Sequence, residues 1–127
     1  MFRTIATLML IAALLAGCKP AAPSADYDIK GNISNVEPAD GQLADVLGRI
    51  RIEGEKVEGN RYDKAIVAVS KSTRIWEKKG DGYVKASWDD LQFGALVTAR
   101  FTGPVMESYP VQASASEIVI LARMPRQ

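Results

Sequence analysis

The sequence predicts a small all-β domain, and three observations carry that expectation. Beyond residue 26, several stretches alternate apolar and polar side chains with period two, the mark of half-buried strands. Clusters of Gly, Pro, Asn and Asp separate these stretches as turns do. The clearest helix signals lie in Ser87–Gly94, which is long enough for one or two helical turns.

Taken in order, Tyr27, Ile29, Gly31 and Ile33 alternate with Asp28, Lys30, Asn32 and Ser34 to give a first strand. Pro38–Gly41 is a turn cluster, and Gln42–Leu47 reads either as a short helical turn or as the approach to a strand. Arg49–Glu53 alternates with Ile50 and Ile52 inward. A charged hairpin loop, Glu55–Glu58, follows between Gly54 and Gly59-Asn60. Ala65–Val69 is continuously apolar, as expected of a central strand covered on both faces, and the pattern continues through Ser72–Trp76. Lys79–Gly82 is a turn and Tyr83–Ala86 a possible extra strand.

In Ser87–Gly94, Ser87 suits an N-cap, Asp89 and Asp90 suit the positive end of a helix dipole, and Gly94 supplies the stop. Val97, Ala99 and Phe101 mark a fourth strand. Val111, Ala113 and Ala115 open a fifth, which turns apolar on both faces at Ile118–Leu121, as a strand closing a barrel would. Three strands, a short helix between strands 3 and 4, then two more strands is the order of a five-stranded OB-like Greek-key barrel. An open meander, or a six-stranded roll that counts Tyr83–Ala86, fits the same pattern.

The chain has 127 residues with 16 Lys and Arg against 15 Asp and Glu. Arg3 lies in a leader expected to be removed, which leaves the mature chain neutral. That balance gives nucleic acid no electrostatic footprint. With no His and one Cys, the chain has no Ser-His-Asp or Cys-His catalysis, no His-liganded metal and no internal disulfide. No cofactor or metal is expected.

Arg3, the apolar run Thr4–Ala16 and small residues behind it form a secretory leader, too short to span a bilayer. Leu15-Ala16-Gly17-Cys18 resembles the lipobox of bacterial lipoproteins, which implies cleavage before Cys18 and acylation there. More than one acyl chain is needed for stable anchoring. The plainer reading is an ordinary leader with an incidental Cys. The expected layout is residues 1–17 as signal peptide, 18–26 as acylated Cys and Pro/Ala/Ser tether, and 27–124 as the folded domain. Extended, Lys19–Asp26 would reach up to about 25 Å from the lipid. By resemblance to the sorting rules of double-membraned bacteria, Lys19 after the Cys favours the outer membrane.

Asp90-Leu91-x-x-Gly94-x-x-Val97 and Phe101-x-Gly103-Pro104-Val105-x-Glu107-Ser108-Tyr109-Pro110-x-Gln112-Ala113 resemble the YobA-like family of uncharacterised bacterial lipoproteins. The resemblance covers most of the mature chain and is strongest over Leu91–Leu121. It implies a lipobox and an OB-like domain, and brings no activity with it.

Gly103-Pro104 and Tyr109-Pro110 force a shaped connection between strands four and five, because Pro lacks an N–H and fixes φ. That connection helps form the binding face of OB-folds, so Glu107, Ser108 and Tyr109 are candidate ligand contacts. The plainer reading has Glu107 and Ser108 satisfying the turn while Tyr109 packs on the barrel. Trp76, Tyr83 and Trp88 surround a loop rich in Lys and Gly. They are candidates to stack on a sugar, the Lys residues candidates to meet anionic lipid, and core packing of the rings is the alternative. Asp89 and Asp90 point about 100° apart on a helix and suit capping better than paired-carboxylate hydrolysis. In Ser70-Lys71-Ser72 a strand would turn Lys71 away from both hydroxyls, a poor Ser/Lys nucleophile. The expected function is a non-enzymatic, lipid-anchored cell-envelope module binding a protein, peptide or glycan. A small envelope hydrolase and a docking subunit of an assembly or stress complex are the alternatives.

Overall fold

The computed structural model describes residues 22–124 except Gln42 and Glu58; the leader, the lipobox-like motif and Cys18 lie outside the described residues. The strands are β1 (Ile29–Pro38), β2 (Val46–Glu53), β3 (Lys64–Ser70), β4 (Arg74–Lys79), β5 (Gly82–Lys85), β6 (Leu96–Met106) and β7 (Val111–Ala122), with one 3-10 turn at Trp88–Asp90. They form a sheet in the order β3-β2-β1-β6-β7-β4-β5, and β3 also pairs in parallel with β7. Five strands, β1, β2, β3, β7 and β6, therefore close on themselves in a ring. The β4–β5 hairpin extends from β7 beyond it.

The period-two pattern places one apolar set inside the ring. Ile29, Ile33, Ile50, Ile52, Val67, Val69, Val97, Ile118 and Ile120 are all fully buried there. Burying each such side chain is worth roughly 1.5–3 kcal/mol, so this interior dominates the stability.

Two interruptions shape the ring. Ala65–Ala68 of β3 lie opposite Val111–Ser114, and Arg74–Glu77 of β4 lie opposite Glu117–Ile120 of the same β7. The two strands are thus one line along β7, broken where Lys71 and Ser72 turn out to solvent. Thr73 spans the break with its side chain: its Oγ1 accepts from the Ser70 N–H at 3.0 Å and donates to the Ala115 carbonyl at 2.8 Å. The second interruption is at Gly54, where β2 leaves β1. There the Asn60 amide substitutes for a strand, accepting from the Lys30 N–H and donating to the Lys30 carbonyl, both at 3.0 Å.

Three expectations need correction. No helix lies between the third and fourth strands. The predicted helix is a single 3-10 turn between β5 and β6, and the described residues contain no α-helix. Its three residues end where Leu91 turns into the core and Gly94 takes a φ of 86°. Next, β3 is not covered on both faces, since Ile66, Ala68 and Ser70 on its outer side are only half-buried. Finally, Ser72–Trp76 does not simply prolong that strand, and with β5 the sheet has seven strands rather than five. The Gly103-Pro104 interruption is present as a register shift between Thr102 and Met106 within a longer β6.

Candidate functional site

The connection between β6 and β7 is Glu107–Pro110, with a cis bond between Tyr109 and Pro110. Ser108 closes it internally, its hydroxyl donating to the Pro110 carbonyl at 2.8 Å and its N–H to the Met106 carbonyl at 2.9 Å. Tyr109 lies on the surface, 69% exposed, its hydroxyl donating to Asp63 at 2.9 Å and Lys64 Nζ 5.7 Å from its ring centre. That hydrogen bond holds the Asp63 carboxyl below its usual range and pushes the Tyr109 phenol up. Glu107 is exposed and makes no hydrogen bond or ion pair with the described residues. The three candidates do not converge on a cavity. Ser108 is occupied with the turn, Tyr109 is tied to Asp63, and Glu107 stands in solvent. Tyr109→Phe is accordingly expected to leave the thermal midpoint at neutral pH essentially unchanged, as measured by circular dichroism, because exposed polar pairs contribute little.

The aromatic trio is also divided. Trp76 is buried, its indole N–H donating to Glu117 at 3.2 Å. Trp88 rests on the backbone of Gly48, where any Cβ would meet the indole at 2.5 Å. Tyr83 alone is exposed, on β5 opposite Lys78. These rings form no common stacking platform.

The remaining motifs are structural or unassembled. Asp90 accepts from the Ser87 N–H at 2.8 Å and from Arg123 at 3.0 Å, so it ties the 3-10 turn to the end of β7. Ser70 Oγ hydrogen-bonds Ser72 Oγ at 2.8 Å rather than Lys71. No cluster of potential metal ligands occurs among the described residues.

A site that sequence reading missed lies at the β3–β4 break. There the outer faces of β3, β7 and β6 line an open cleft of about 380 Å³. Ser70, Ser72, Thr102, Ser114 and Ser116 contribute hydroxyls to its lining, and Arg74 a guanidinium. Cross-strand pairing sets this row, since Ala68 faces Ser114 and Ser114 faces Thr102. Small side chains there leave room that larger ones would fill. Arg74 sits 3.7 Å from Glu117 through its Nε and is largely exposed. The cleft thus offers hydroxyls and one guanidinium to a polar ligand. A smaller hollow, about 250 Å³, is lined by residues 37–40, Leu43, Val46 and Gly48-Arg49. It is walled by β1, β2 and the turn between them, whereas hydroxyls from β3, β6 and β7 line the larger cleft. The only sequence signal for that cleft was the run of Ser and small residues at alternate positions of β7.

A scan against protein-family models matches none, and searches of curated proteins and of solved structures also find no match.

Proposed function

We propose that this chain is a non-enzymatic, lipid-anchored binding module of the bacterial cell envelope, built as an OB-like Greek-key barrel. Its ligand is an extended polar segment, peptide or glycan, held in the hydroxyl-lined cleft. The cleft is the observation that carries this reading: among the described residues, hydroxyls from β3, β6 and β7 line unfilled space there. The ring order β1-β2-β3-β7-β6 supports the OB-like assignment. The leader and Cys18 support the address, as does the resemblance to YobA-like lipoproteins. The solitary, exposed Glu107 and the Ser70–Ser72 pairing count against carboxylate or Ser/Lys hydrolysis.

Crosslinking from native membranes tests the site. Ser114→Trp fills the cleft from an exposed position and is expected to abolish the adducts of the wild type, while Glu107→Ala/Tyr109→Ala keeps them. Adducts lost only in the loop double variant would return the site to the β6–β7 connection. Adducts unchanged in both would overturn a site on this face. For the anchor, Cys18→Ser is expected to shift the protein out of the acylated membrane fraction with its domain still folded. Membrane recovery of that variant with its leader removed would mean a different anchor.

A further inference from the structure

We infer that the outer face of β1, β4 and β5, with residues 98–100 of β6 and 117–119 of β7 between them, docks on a bilayer carrying anionic headgroups, so that the domain lies on the membrane rather than swinging from its tether. This rests on the lipid-anchored reading above and specifies which side meets the lipid.

The first observation is where the tether lands. The Ser24 N–H donates to Glu117 at 2.8 Å, and the same buried carboxylate accepts from Trp76 and lies beside Arg74. Only five residues separate Ser24 from Cys18, a reach of at most about 20 Å. A lipid on Cys18 would therefore keep this face within short reach of the bilayer.

The second is the charge laid out around that contact. Strand register aligns Lys30, Thr98, Val119, Trp76 and Lys85 in one row across five strands. A neighbouring row aligns Arg100, Glu117 and Arg74, and Lys78 pairs with Tyr83 on the same face. Lys30, Lys78, Lys85 and Arg100 are exposed and form no ion pair among the described residues. Glu117 is buried and already has its partners, and Asp28, at the edge of this face, is paired with Arg61. Five cations on one face of a chain whose mature charge is balanced is an asymmetry, and its sign suits anionic lipid. Tyr83, with its apolar ring and polar tip, fits the headgroup level.

The test uses the protein purified from membranes as the cell processes it, mixed with vesicles of phosphatidylcholine alone or with roughly 30% phosphatidylglycerol. Acetylation of lysines is then followed by mass spectrometry. Lys30, Lys78 and Lys85 are expected to react about tenfold more slowly on the anionic vesicles, with Lys56 and Lys71 unchanged, and to recover in about 0.5 M salt. Arg74→Glu/Arg100→Glu leaves all these lysines in place and should remove most of that protection. Protein that floats with both vesicles but shows equal lysine reactivity would overturn the docking while sparing the anchor. Protein that floats with neither overturns the anchor and the docking with it. Protection on native membranes but not on anionic vesicles would assign the face to a protein partner and overturn the lipid assignment.

Discussion

Gly31→Ala is expected to lower stability by about 3 kcal/mol or more, a fall of roughly 10–20 °C in the thermal midpoint of a domain this size. Gly31 points into the core between Ile29 and Ile33, where β2 bends across β1. A Cβ there would overlap the Glu53 carbonyl and come within 2.7 Å of the Gly54 nitrogen, both of them backbone atoms. Backbone cannot rotate away as a side chain can, so relief requires separating the strands. That separation would also disturb the Asn60 amide that completes the Lys30 pairing beside it. Gly41→Ala is the control. Its φ of 88° disfavours any side chain, yet no atom lies near the new Cβ. Conformational strain alone should cost about 1–2 kcal/mol there. Equal losses at the two sites, measured by urea denaturation, would show that the close approach at Gly31 is relieved cheaply.

The strands were legible because one-sided burial writes itself as alternation: Ile50 and Ile52, Val97 and Ala99, and Val111, Ala113 and Ala115 each stand two apart and all face inward. The turn at Lys79–Gly82 and the loop at Gly59-Asn60 were legible from glycines that do take positive φ. The division of β3 from β4 was not. Ser70–Thr73 contains neither Gly nor Pro, and the break is held by Thr73 bonding a carbonyl 42 residues away. The extent of the helix was illegible for another reason. Ser87, Asp90 and Gly94 mark ends, and at one turn the end signals of a 3-10 and an α-helix coincide. The candidate site failed in the same way as the strand break. Trp76, Tyr83 and Trp88 are near one another in sequence, but the Trp76 indole is committed to Glu117, 41 residues on. Conversely, Thr102, Ser70 and Ser114 look like ordinary solvent-face residues until register sets them side by side. Local pattern reports which way a residue faces, and the neighbours across the strand depend on pairing.

Arg123→Ala is expected to destabilise the domain by about 2–3 kcal/mol at neutral pH, and the loss should shrink in acid. Arg123 leaves the end of β7 and grips Glu77 of β4 with two hydrogen bonds, at 2.6 and 2.8 Å, and Asp90 of the 3-10 turn at 3.0 Å. Three elements are joined by one guanidinium. Removing one partner of a fully buried pair costs about 3–5 kcal/mol, because the other charge is left without solvent or counter-ion. Here the Glu77 side chain is 11% exposed but Arg123 is 42% exposed, so solvent screening reduces the figure. The pH dependence has a definite sign. Arg123 holds the Glu77 carboxyl below its usual value, and the Ser87 N–H, then Arg123, do the same for Asp90. Depressed carboxylates add stability that is complete above their unfolded values, about 4.3 for Glu and 3.9 for Asp. It is lost as pH falls through the lower folded values. Wild type therefore loses this contribution below about pH 4, where the variant has little left to lose, and the two unfolding curves should converge. Arg123→Lys keeps the charge without the fork and should fall between them. Glu77→Leu/Arg123→Leu removes both charges and should recover much of the loss at neutral pH. A constant gap between wild type and Arg123→Ala from pH 7 to pH 3 would mean that packing of the arginine stem, rather than its hold on Glu77, carries the effect.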